Sequence, residues 1–406
     1  MANTFKFGNE NWAVKDGKVL AYNDENNAFK PLPFTFARSS SATRVDNEGL
    51  IKTTDSGFAR IDFLNNTSGH LLLEPSSTNL IEYSNFESGW STLSGGSKVL
   101  NAAISPEGTQ NATVLSGDGV NSNAIYDSIS VSVASYIFSV FAKKNNKSII
   151  TLQGFTSGAA GSSKFNLSDG TIDTPSSSGQ FSDEKIEAYG NGWYRCSVKV
   201  TATSSGSKLF GFLGDSSDSG TLYSLYGSQL ELGSFITSYI PTTGSTVTRT
   251  AETCDSAGNS TVFGDSEGVL YAEIAKNNGT QYSLVSLQKP SITNTYAYIG
   301  FLNNTTQIKA EVKVAGTAAF SKTRTFSDTS QYFKIALKYK SGDYALYING
   351  HKTDTGTSTT IFSDGDLQEL EFGNHNNSTF RYYGKIKNVQ VYNTALTDAE
   401  LIELTS

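Results

Sequence analysis

Methionine occurs once, cysteine twice and proline seven times in 406 residues, and each scarcity removes an explanation. Two cysteines, Cys196 and Cys254, cannot build a disulfide framework. Nor can they hold a structural zinc ion without well-spaced histidines, and His70, His351 and His375 are scattered. Charged residues make up 17% and the net charge is −7, with no basic block, so a nucleic-acid partner is not expected. The densest basic spot, Lys143-Lys144 with Lys147, reads as a solvated strand end. No apolar run approaches the roughly 20 residues of a membrane helix, and no membrane insertion is expected. The opening MANTFKFGNENWAVKDGK lacks the charged head and apolar stretch of a secretory signal; a soluble protein made in a cytoplasm is the expectation. A Walker loop, a dinucleotide fingerprint and a G-x-S-x-G elbow are also missing.

What is plentiful is aromatic residues and glycine: 20 Tyr, 24 Phe and 37 Gly. Aromatic and β-branched side chains suit a pleated, half-buried surface, and Gly, Asn, Asp and Ser supply its turns. The expected class is all-β, with two β-sandwich or jelly-roll domains in tandem after a β-rich N-terminal segment. Texture divides the chain into residues 1–82, 83–253 and 254–406. In the middle stretch YIFSVFAKK, SIITLQGF, GWYRCSVKVTATS and LFGFLG read as strands, and FNLSDGTI as a hairpin turning at Asp169-Gly170. From Trp193 to Val200 the alternation sends Trp193 and Arg195 one way and Tyr194, Cys196, Val198 and Val200 the other. The last stretch repeats this logic from GVLYAEIAK to GKIKNVQVYN, then closes on LTDAELIEL. That ending predicts a short helix, N-capped by Thr397 with Glu400 completing a capping box.

Three resemblances follow from the residues. The order Arg38, Ser39, Ser40, Thr43, Arg44, Gly49, Arg60, Asp62, Glu74, Thr78, Asn79, Leu80 resembles a segment of phage head-fibre and tail-fibre proteins. It implies a location in the virion, assembly in a bacterial cytoplasm, other capsid or tail proteins as partners, and self-association, as a homotrimer by analogy with fibres. FSVFAKK, FNLSDGTI, GNGWYRCSV and GSQLELGSFITSYIPTTGSTVTRTAE resemble carbohydrate-binding-module jelly rolls. FKIALKYKSGDYALYINGHK and GKIKNVQVYNTALTDAELIEL are similar to concanavalin A-like, laminin-G-type domains, which bind glycans or proteins, some through calcium.

Candidate sites follow from chemistry. Sugars are held by aromatic faces beside amide, carboxylate and guanidinium groups. Asn374, His375, Asn376, Arg381, Tyr382 and Tyr383 offer that mixture in one loop, and Trp90 and Trp193 are aromatic candidates in the middle domain. Asp364 and Asp366 place hard oxygens in a loop suited to calcium, although an Asp-Gly turn explains them without metal; no cofactor is required. Glu369 and Glu371 on one strand face are the only arrangement fit for glycoside hydrolysis, which needs two carboxyls roughly 5 to 10 Å apart. Laminarinase-like relatives of the concanavalin fold use Glu, Asp and Glu at spacings of two and three. Here Glu371 and Asn374 break that triplet, and the pair reads as the exposed polar face of a sheet. The expected function is non-enzymatic: a virion appendage subunit adhering to host-surface glycan. The alternatives are a tail polysaccharide depolymerase and a purely architectural decoration protein.

Overall fold

A computed structural model describes residues 4–8, 12, 14–15, 18–19, 34–93, 95–120, 123–214, 217–277, 282–290, 294–303, 306–373 and 380–406. The chain is all-β: strands run its length until one C-terminal helix, Asp398–Thr405. That helix starts as its sequence dictates. Thr397 takes the Glu400 amide at 3.4 Å, and Glu400 returns a carboxylate to the Thr397 amide at 2.8 Å. No helix among the described residues is long and apolar enough to cross a membrane.

The middle of the chain forms a jelly roll of two six-stranded antiparallel sheets. The inner sheet runs Ser91–Thr92, Ala124–Val131, Gly206–Leu213, Ile149–Gly154, Gly161–Asn166, Thr171–Thr174. The outer runs Ser97–Ile104, Gln110–Asp118, Ser219–Leu232, Ser135–Lys144, Trp193–Thr201, Phe181–Ala188. Between them lie Phe138, Leu152, Cys196, Val198, Phe210 and Phe212. The expected alternation holds: Cys196, Val198 and Val200 enter this core, and Trp193 lies on the opposite face of the outer sheet. The predicted hairpin turns at Gly170, whose φ is +72°. A Cβ there would sit 2.6 Å from the Tyr194 ring, so the turn needs glycine.

The second sandwich pairs a five-stranded sheet with an eight-stranded one. The five-stranded sheet runs Thr317–Thr325, Gln307–Val314, Tyr296–Phe301, Ser283–Gln288, Glu369–Glu371. Five strands of the larger sheet come from after residue 254, ending with Gly384–Tyr392. The other three come from the beginning of the chain. Phe5–Gly8 and His70–Leu73 both pair with Gly384–Tyr392, and Arg60–Asp62 extends the edge. Their inward side chains, Phe5, Phe7, Leu71 and Leu73, join Phe34 and Phe36 in the C-terminal core. The N-terminal segment is therefore built into the last domain.

The same segment is stitched to the end of the jelly roll. Thr35–Ala37 pairs with Thr253–Asp255, and Ser77–Asn79 with Val247–Arg249. The hairpin Ala42–Val45 and Ile51–Thr54 places Val45 and Ile51 over Phe141, Trp193, Tyr226 and Tyr239 on the jelly roll's outer face. Between these ribbons lies a buried ion cluster. Glu252 accepts from Arg38 Nη1 at 2.7 Å, Arg60 Nε at 2.9 Å and the Glu74 amide at 2.9 Å. Glu74 accepts from Arg60 at 2.8 Å, Arg249 at 2.6 Å and the Ser238 hydroxyl at 2.6 Å. Burial opposes the Glu74 carboxylate, but Arg249 and Arg60 outweigh it and hold its pKa down at about 2. Nearby, Asn79 uses its whole amide, donating to the Ser228 and Ile240 carbonyls and accepting from the Ile81 and Leu230 amides. Arg38, Arg60, Glu74 and Asn79 are thus part of the clasp that joins both sandwiches.

Candidate functional site

Asn374, His375 and Asn376 lie outside the described residues. Their neighbours are described, and the structure corrects Tyr382. It is 0% exposed, and its hydroxyl donates to the Ala275 carbonyl at 2.9 Å, so its ring has no face to offer a sugar. Arg381 is committed to Asp255 at 2.6 Å. Tyr383 is half-buried, and its carbonyl accepts from the Ser283 hydroxyl at 3.0 Å.

Both tryptophan candidates are also corrected. Trp193 is 2% exposed under the 42–54 hairpin, its indole donating to the Ile104 carbonyl at 3.2 Å. Trp90 is buried, its ring stacked on Phe212 with centroids 5.6 Å apart and its indole donating to the Tyr83 carbonyl at 2.8 Å. Large aromatic surfaces this well packed stabilise cores.

In the candidate calcium loop the carboxylates serve the turn. Asp366 accepts the Ser363 amide at 2.9 Å, and Asp265 accepts the Gly365 and Leu367 amides at 2.7 and 2.8 Å. Asp364 is exposed. Among the described residues no three acidic, histidine or cysteine side chains are grouped to hold a metal.

Glu369 and Glu371 do share a face, opposite Gln288 and Ser286 across the strand pair. That face is not exposed, contrary to expectation: Glu371 is 1% exposed and Glu369 is buried. Gln288 donates to Glu369 at 3.3 Å. Burial, then Asp255 and Glu369, push the Glu371 pKa up to about 8. Further across the sheet this face carries Tyr298 and Glu311, in register with Ser286. All are buried.

The open concavity lies elsewhere. A cleft of about 820 Å³ opens where the jelly roll, the N-terminal segment and the C-terminal sandwich meet. The jelly roll contributes the outer-sheet strands carrying Lys185, Glu187 and Arg195 and the loop at Phe235–Ser238. The N-terminal segment contributes Asn65 and Leu72, and the C-terminal sandwich Lys276, Asn277, Ser330 and Lys385. Strand alternation creates this wall. Arg195 points away from the jelly-roll core because Tyr194 and Cys196 point in, and Lys385 points away from the C-terminal core because Ile386 points in.

The cleft's charges are unevenly compensated. Arg195 is 3% exposed, donates to the Thr237 carbonyl at 2.7 Å and the Ser139 hydroxyl at 3.2 Å, and stacks over Phe141. Its Nε has no partner. Lys276 is 5% exposed and donates to the Leu302 carbonyl at 2.6 Å; burial brings its pKa down to about 8. The acids of the cleft are engaged. Asp62 caps the Val45 and Leu64 amides, Glu74 belongs to the ion cluster, and Glu187 accepts from Asn65 at 3.0 Å. Nothing local in the sequence marks this site. The one trace in the sequence was Arg195 on the non-core face of its strand, where Ser197 and Lys199 also lie.

Several solved structures are similar to the chain over about a third of its length. The sialidase module CBM40 of Ruminococcus gnavus, bound to α2,3-sialyllactose, is 17% identical, with 36% of this chain and 85% of that one covered and a TM-score of 0.32. Domain 4 of the arabinanase AbnA of Geobacillus stearothermophilus, in complex with arabinotriose, is 16% identical, covering 38% and 73% at a TM-score of 0.30. The binding domain of botulinum neurotoxin serotype G is 15% identical, covering 38% and 39% at 0.27. No curated protein matches the sequence. Residues 259–402 match the family model of the concanavalin A-like lectin/glucanases superfamily, so the C-terminal sandwich is similar to domains of that superfamily.

Proposed function

We propose that this chain is a non-catalytic glycan-binding subunit of a surface appendage, holding its sugar in the cleft between the two sandwiches. The observation that carries the reading is that cleft. Amide groups (Asn65, Asn277) and the half-buried Phe235 ring line it together with ammonium and guanidinium groups. A concave site with a few convergent polar groups beside apolar surface is the usual form of a small-ligand site. The concanavalin A-like match supports a glycan as the ligand class.

The resemblance of residues 38–80 to phage fibre proteins supports a virion appendage, assembled with capsid or tail proteins in a bacterial cytoplasm. Trimerisation would multiply a weak single-site affinity through effective concentration. Nothing in the reading needs a cofactor, and the Asp364–Asp366 loop is read as a turn.

One observation favours a rival reading, a polysaccharide depolymerase: the Glu369–Glu371 pair with its raised carboxyl pKa. Yet both carboxyls are buried, whereas two catalytic carboxyls must flank a bound glycosidic bond.

The test is to titrate the intact chain with host-surface polysaccharide, with and without a calcium chelator, while following sugar chain length by size-exclusion chromatography. Saturable binding, unchanged by chelation and with chain length intact, is expected. Shortened chains, with the shortening abolished by Glu371→Gln, would establish the depolymerase instead. Absence of any binding would leave the architectural role.

A further inference from the structure

The cleft holds more positive charge than its acids neutralise. Resting on the glycan-binding reading, we infer that its ligand is an anionic saccharide, the acidic group lying against Arg195 and Lys385.

Two buried cations carry the argument. Arg195 is almost wholly enclosed, yet its partners are a carbonyl, a hydroxyl and an aromatic face, with Nε unpartnered. Lys276 is equally enclosed and has a carbonyl partner. Among the described residues neither forms an ion pair, nor do Lys185 and Lys385 on the same cleft. A buried charge is costly without a counter-charge, and elsewhere the chain supplies one readily: Arg38, Arg60 and Arg249 are all paired to Glu252 or Glu74. The contrast is local, a few residues from that cluster, since Glu74 and Ser238 border both.

The acids that could have answered Arg195 are turned to other tasks. Glu187 is its cross-strand neighbour, but its carboxylate takes the Asn65 amide. Asp62 faces Lys385 at a distance, near enough to feel its charge, and is held by two backbone amides. The two cations that define the preference come from different domains, Arg195 from the jelly roll and Lys385 from the C-terminal sandwich. An acidic group bound between them would therefore bridge the two sandwiches. A guanidinium offers paired donors to a carboxylate or sulfate, and an ammonium adds a point charge.

The experiment uses the intact chain and three oligosaccharides of one backbone: neutral, carboxylated and sulfated. It compares wild type with Lys385→Met and Lys185→Glu, both changes at accessible positions that the ion cluster does not use. Each variant's thermal melt is recorded alongside. We expect binding of one or both acidic sugars, weakening with salt, and reduced on the order of tenfold or more by either substitution, with melting unchanged. Which acidic sugar binds assigns carboxylate or sulfate. Equal binding of neutral and acidic sugars, indifferent to both substitutions, would overturn the inference and leave the glycan-binding reading intact. No binding of any of the three would overturn both.

Discussion

Cutting the chain to residues 254–406, the stretch that reads as a complete domain in the sequence, should fail to give a folded monomer. The larger sheet would lose Phe5–Gly8, Arg60–Asp62 and His70–Leu73, exposing the edge of Gly384–Tyr392 near the middle of the sheet. The core would lose Phe5, Phe7, Phe34, Phe36, Leu71 and Leu73, all buried in the intact protein. Burying one such side chain contributes about 1.5–3 kcal/mol, so the six together contribute about 9–18 kcal/mol. That equals or exceeds the roughly 5–15 kcal/mol by which a domain is stable. The unpaired strand edge would in addition template association. The assay is light scattering with near-ultraviolet circular dichroism of the fragment beside the intact chain. Aggregation or loss of the aromatic signal is expected. A monomeric fragment with native-like signal and a melting temperature close to the intact protein's would refute the claim that the N-terminal segment is part of this domain.

The ion cluster gives a second prediction: Glu252→Gln leaves Arg38 and Arg60 short of a buried counter-charge and should cost about 3–5 kcal/mol in denaturant unfolding. Arg324→Ala, where the arginine of the pair with Asp354 is itself solvent-exposed, should cost about 1 kcal/mol or less. Glu74 sets the acid limit. Its folded pKa of about 2 lies below the ordinary 4.5, so its contribution is full above pH 4.5 and disappears as the pH falls toward 2. The 2.5-unit gap corresponds to about 3 kcal/mol, read as a falling melting temperature across that window and flattened in Glu74→Gln relative to its own pH 7 value. Glu371 has the opposite sign. Its folded pKa of about 8 is raised, so the wild type loses stability as the pH climbs from 4.5 through 8, while Glu371→Gln should not share that decline. Parallel pH curves for the two proteins would contradict this.

Most strands were legible in the sequence because each declares itself locally, by alternation and by turn residues. The alternation at 193–200 also assigned faces correctly, and the Thr397–Glu400 box marked the helix. Pairing partners were not legible. Nothing near Phe5 says that it will lie beside Val391, because strand pairing depends on faces that only the folded chain brings together. The order of Arg38, Arg60 and Glu74 was visible, and so was the phrase holding Arg249 and Glu252. That they meet in one cluster needed the two ribbons that align them. Three aromatic members of the candidate sugar sites are buried for a related reason. Tyr382, Trp90 and Trp193 are aromatic residues in polar surroundings of sequence, but neighbours distant in the chain cover them. The cleft itself is assembled from nine separated stretches, so no single motif could announce it.

The most direct test of the account is amide hydrogen exchange of the intact chain with and without a bound acidic oligosaccharide. The account predicts added protection along Phe181–Ala188, at residues 235–238 and beside Lys276 and Lys385, all of which border the cleft. Protection confined to the face carrying Glu369, Glu371 and Tyr298, with the cleft unchanged, would place the sugar on the C-terminal sheet and contradict it.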